Sequence, residues 1–117
     1  MPHVVLNGKI SVEEIFEKLN PLFIRHEYII LRTKETYLEK NKKDILIDSL
    51  AIEKGKKTVF LALISGRDDG VVVRLYPQVE VEKTDSVKTV LAELAKQVMQ
   101  TFPEMQVGET NLQDFLK

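Results

Sequence analysis

Cysteine and tryptophan are absent from this chain of 117 residues, glycine and proline number five and four, and aromatic residues make up 7%. Without cysteine there is no disulfide scaffold, no cysteine nucleophile and no thiolate-ligated metal. No run of 18 apolar residues is present to span a bilayer. Neither sign of charge dominates: 17 basic groups face 18 acidic ones, and a net charge of -1 beside an apolar fraction of 44% is far from the composition of a disordered chain. No Asn-x-Ser/Thr sequon occurs, and Met1 to Lys9 lack the apolar stretch of a secretory signal. The expectation is a soluble, cytoplasmic protein.

What is present suffices for one core. A monomer of 13.4 kDa should expose roughly 6,500 Å² and bury about two-thirds of what its unfolded chain presents. One domain over 1–117 follows, with 103–117 as a terminal tail. Charge is unevenly spread, residues 32–57 carrying eight basic and five acidic groups and residues 77–117 four and seven.

Ser11-Val12-Glu13-Glu14 has the form of a capping box, and Val12, Ile15, Phe16 and Leu19 follow at helical spacing until Asn20-Pro21 ends the helix. Strands are expected over 27–33 and 35–40. From Asp44 onward three apolar runs, separated by Lys54-Gly55-Lys56-Lys57 and Gly66-Arg67-Asp68-Asp69, predict an antiparallel meander. Strict alternation within 44–53 would set Asp48 beside Leu46, Leu50 and Ile52, so a bulge at Asp48-Ser49 is expected to turn the charge outward. Residues 58–65 are apolar on both faces, as in a central strand. Val79 and Val81, alternating with Gln78, Glu80 and Glu82, predict an edge strand. A long helix beginning near Thr84-Asp85-Ser86 carries Val87, Val90, Leu91, Leu94, Val98 and Phe102 on one side and ends at Pro103, and Thr110-Asn111-Leu112-Gln113 opens a short terminal helix. The class is α+β: a five- or six-stranded antiparallel meander with both longer helices on one face. That order of elements resembles helix-on-curved-sheet folds such as the helix-grip and TATA-binding-protein-like classes, a topological likeness that carries no function.

Sites of chemistry are sparse. His3 and His26 have no carboxylate or second histidine at i+3 or i+4, so neither implies a metal, and nothing implies a cofactor. Asp68-Asp69-Gly70 lacks the other ligands of a calcium loop, and Gly55-Lys56-Lys57-Thr58 lacks the upstream glycine and following helix of a phosphate loop. No strand–turn–helix elbow presents a serine, and the reading leans away from an enzyme. Lysines gather at two turns, Lys40, Lys42 and Lys43 at one and Lys54, Lys56 and Lys57 at the next. Lys42, Lys43, Lys54, Lys56 and Lys57 are the candidates for phosphate contact in the alternative reading, a nucleic-acid accessory protein. A strand of about nine residues sets the two turns about 30 Å apart.

The helices supply cover for one sheet face only. The second must be covered by the 103–117 tail, a second subunit or a hydrophobic small ligand. The adopted expectation is a non-catalytic interaction domain, a homodimer using that face, with Phe60, Ala62, Ile64, Val72 and Tyr76 lining it. Ile64→Asp should then disrupt assembly without unfolding the chain.

Overall fold

A computed structural model of the chain describes residues 1–117. In chain order it contains β1 (His3–Asn7), α1 (Val12–Lys18), β2 (Phe23–His26), β3 (Ile29–Leu38), β4 (Asp44–Glu53), β5 (Lys56–Arg67), β6 (Gly70–Leu75), α2 (Asp85–Thr101), β7 (Gln106–Thr110) and a 3₁₀ turn, Gln113–Phe115. The seven strands form one curled antiparallel sheet in the order β2-β3-β4-β5-β6-β1-β7. The class is α+β, with more strands than the five or six expected.

Both helices start where their caps place them. Ser11 Oγ accepts from Glu14 N–H at 3.2 Å and donates to Glu14 Oε1 at 3.3 Å. Thr84 Oγ1 accepts from Val87 N–H at 3.2 Å, so two first turns have an orphan amide satisfied. Val87, Val90, Leu91, Leu94, Ala95 and Val98 of α2 are buried against the sheet. α1 lies beside the carboxy-terminal half of α2, where Ile15 and Leu19 meet Val98 and Phe102 in a seam that leaves no room for water. The tail docks on this same side: Leu112 is buried in the same core, Phe115 and Leu116 pack against it, and Lys96 Nζ donates to Lys117 O.

β4 and β5 pair through ten consecutive residues with no register shift. Ile45, Ile47, Ser49 and Ala51 of β4 therefore point inward with Phe60, Ala62 and Ile64 of β5, and Leu46, Asp48, Leu50 and Ile52 point outward. The bulge expected at Asp48-Ser49 is instead on the neighbouring strand, where Thr33 pairs Ser49, Thr36 pairs Ile47, and both Lys34 and Glu35 face Asp48. Asp48 points to the face that no helix covers and is half-buried there. The buried Thr33 and Ser49 hydroxyls are satisfied locally, Thr33 Oγ1 accepting from Leu22 N–H and Ser49 Oγ donating to Ile47 O.

Three further expectations change. The strands predicted over 27–33 and 35–40 are one strand, β3, whose bulge falls at their junction. Residues 79–82 pair with no strand, because β1 already occupies the free edge of β6. β1, β2 and β7 are strands that sequence reasoning did not find: β1 and β7 add two beyond β6, and β2 adds one beyond β3. Gly70 is required where β1 crosses it, since a Cβ there would stand 2.0 Å from Leu6 O.

The β3–β4 turn is closed by a side chain. Glu39 Oε2 accepts from Asn41 N–H at 2.8 Å and Oε1 from Lys43 N–H at 3.1 Å. These backbone donors, Asn41 first, hold the Glu39 carboxyl below the usual glutamate range. A carboxyl depressed in the folded state stabilises above its unfolded pKa and loses that contribution as pH falls through the folded value. Glu39→Gln should lower stability at neutral pH, with the deficit closing at strongly acid pH as the wild-type carboxyl protonates. Urea titrations at the two pH values check this, and a deficit equal at both contradicts it.

Candidate functional site

With α1, α2 and the tail all on the inner side, the outer face of the sheet has no cover from this chain. The register fixes what lies there. One cross-strand row reads Tyr37, Leu46, Leu63, Arg74 and His3. The next places Asp48 opposite Leu61, with Tyr76 beyond it, its N–H donating to Leu61 O at 3.0 Å. A third carries Phe23, Arg32, Leu50 and Val59. On the other flank of the first row, Ser65, Val72 and Val5 complete the surface.

Val59 is 63% exposed, Phe23 62% and Tyr37 54%, although all three are large apolar or aromatic groups. Leu46, Leu50, Leu61 and Val72 are half-buried, and Leu63, between Leu46 and Arg74, is 4% exposed. A contiguous apolar sheet face of this kind marks an interaction surface on a folded domain. The total accessible area, 7045 Å², is about 500 Å² above the roughly 6,500 Å² expected for the mass.

The expected lining set divides between the faces. Val72 and Tyr76 lie on the outer face, whereas Phe60, Ala62 and Ile64 are inside the core at 3%, 0% and 0% exposure. β5 is apolar on both faces, so its own residues do not say which side is wet. Asp48 and Arg74 do: each is a lone charge within an apolar strand, and each points outward. Leu46, Leu50, Leu61 and Leu63 replace the three core residues in the candidate surface.

The lysine turns lie at opposite ends of the ten-residue strand β4. Lys42 and Lys43 are at the β3–β4 turn, where Lys42 Nζ is 3.6 Å from Glu13. Lys54, Lys56 and Lys57 are at the β4–β5 turn, and Lys56 pairs with Glu82. Lys54 and Gly55 both have positive φ, 51° and 80°, as a two-residue hairpin requires. Lys57 faces outward beside Ile52. The two groups of cations are not brought together.

His3, in β1, and His26, in β2, stand five places apart in the strand order. No three His, Asp or Glu side chains converge on a metal position. Surface hollows lie at the margins: one of about 180 Å³ includes Tyr28, Lys54 and Asp85, and one of about 380 Å³ beside the bulge includes Pro21, Phe23 and Lys34. No helix is long and apolar enough to cross a membrane. Comparison with protein-family models, curated proteins and solved structures finds no match to this chain. The helix-on-sheet likeness therefore stays at the level of element order.

The two faces should respond differently to the same charge. Ile64→Asp places a carboxylate in a fully buried apolar site and should cost at least about 4 kcal/mol, leaving little folded protein. Val59→Asp on the outer face should keep the fold, at about 1 kcal/mol or less. Circular dichroism melts of the two variants check the assignment, and a stable Ile64→Asp protein contradicts it.

Proposed function

We propose that this protein is a non-catalytic interaction domain that works through the outer face of its sheet, as a homodimer. The observation that carries this reading is the apolar surface of Leu46, Leu50, Val59, Leu61, Leu63 and Val72 that no element of the chain covers. Its dimensions support it: three adjacent strands of ten to twelve residues flanked by four of four to six residues give a sheet face of roughly 850 Å². A stable protein–protein interface needs about 800 Å² from each partner.

Edge-to-edge assembly is disfavoured. The outermost strands, β2 and β7, have four and five residues, and beyond β2 the edge of β3 is interrupted by the Lys34–Glu35 bulge. Short, bulged and charged edges discourage strand addition. Face-to-face packing of sheets would cover Phe23, Tyr37 and Val59, which are exposed, and Leu46, Leu50, Leu61 and Val72, which are half-buried.

Leu61→Asp tests the reading, because Leu61 lies on the middle strand and away from the core. In sedimentation velocity the wild type should run as a dimer, and the variant as a folded monomer with association weakened at least about a hundredfold. A folded Leu61→Asp protein that assembles like the wild type overturns it.

A further inference from the structure

Two charged groups near the centre of the outer face, Asp48 and Arg74, are half-buried without an ion pair in the chain, whereas Arg32 and Lys57 on the same face are exposed to water. Arg74 is half-buried beside Leu63, and its Nε is shut away from water with no hydrogen-bond acceptor. Asp48 is half-buried among Leu46, Leu50 and Leu61. The ion pairs of the chain are His3–Glu109, Lys42–Glu13, Lys56–Glu82, Lys96–Glu93 and Lys117–Asp114, and neither residue belongs to one. A guanidinium nitrogen stripped of water and given no acceptor is costly, and so is a carboxylate among leucines unless something compensates it.

Their placement is symmetric about the centre of the sheet. β5 is the fourth of seven strands, Asp48 sits on β4 opposite Leu61, and Arg74 sits on β6 opposite Leu63. Asp48 and Arg74 thus flank the middle strand on either side, two strand spacings across and about two residues along, which sets their Cα atoms about 12 Å apart. A two-fold axis lying in the interface over β5, between Leu61 and Leu63, exchanges the two positions. In an isologous contact residue i meets j and j meets i.

Resting on the proposed use of this face, we infer that its occupant is a second copy of this chain, held in register by two reciprocal pairs in which Arg74 of each protomer meets the partner's Asp48. Leu61 and Leu63 then pack about the axis, and both lone charges are paired where water is excluded. Asp44, the other acid directed to this face from β4, lies at the strand end beside the turn, on the rim rather than among the leucines. Charge pairs within an apolar interface fix register and exclude wrong partners.

Charge reversal in the full-length chain tests the inference. Asp48→Arg and Arg74→Asp, each alone, should weaken self-association at least about a hundredfold, since each sets like charges opposite one another twice. The double substitution Asp48→Arg/Arg74→Asp should return to within about tenfold of wild type. An equimolar mixture of the two single variants should form a one-to-one heterodimer by native mass spectrometry, because both contacts again join a cation to a carboxylate. Rescue in the double variant keeps the test decisive where one single variant folds poorly. If Leu61→Asp dissociates the wild-type assembly while the single reversals leave it intact, or if the double variant and the mixture stay monomeric, the pairing is wrong and the interaction face stands. A wild-type chain that is monomeric at about 100 μM overturns the second copy as occupant. An assembly indifferent to Leu61→Asp overturns the use of this face as well.

Discussion

The ladder between β4 and β5 runs through ten pairs without a bulge. Because strand side chains alternate with period two, a slip of one residue in it would exchange the core and the surface across the middle of the molecule. In the register observed, Ile45, Ile47, Ala62 and Ile64 join the core that the helices cover, and a row of leucines with Asp48 faces away. The outward positions of Arg74 and Val72, and the cover that α1 and the tail give to the other face, all follow from that parity. The irregularity that accommodates Asp48 is passed to β3, a strand with an interrupted edge, where Lys34 and Glu35 share the space of one residue.

Much of this was legible in the sequence and some was not, for identifiable reasons. Helix ends announce themselves locally: Ser11 and Thr84 cap as their neighbours suggest, and the apolar stripe of α2 repeats at helical spacing over four turns. The two meander turns are equally local. The parity of β5 is not, since Val59, Leu61 and Leu63 are as apolar as Phe60, Ala62 and Ile64 and only the partners decide. Asp48 and Arg74 carried the missing information. The bulge expected at Asp48-Ser49 is not needed to turn Asp48 outward, and Asp48 and Arg74 together mark the outer side, with Leu61 and Leu63 beside them. β1 and β7 are hidden because each has five residues and pairs with segments far along the chain, His3 with Arg74 and Val4 with Thr110, and β2 because it has only four residues before the turn into β3.

The molecule places nearly all its covering elements on one side of a sheet whose two sides are both apolar at the centre. A chain of this length could have folded its last fifteen residues over the outer side, yet Leu112, Phe115 and Leu116 join the inner core. The consequence is a protein whose local rules agree with its fold everywhere except on one surface. Departures of that kind are expected where function resides. The short edges and the reciprocal arrangement of one acid and one base about the middle strand point the same way, toward association through a face.

The most direct measurement uses the absence of cysteine. A single Val59→Cys substitution places the only thiol of the chain on the outer face of the middle strand, two residues from Leu61, and Asp68→Cys places one at the exposed β5–β6 turn as a control. Their rates of alkylation are followed as protein concentration rises. If the outer face is an interface, the thiol at position 59 becomes protected with concentration while that at position 68 does not. A thiol at position 59 that reacts as fast as the control at every concentration would contradict the account, because the face would then be open water.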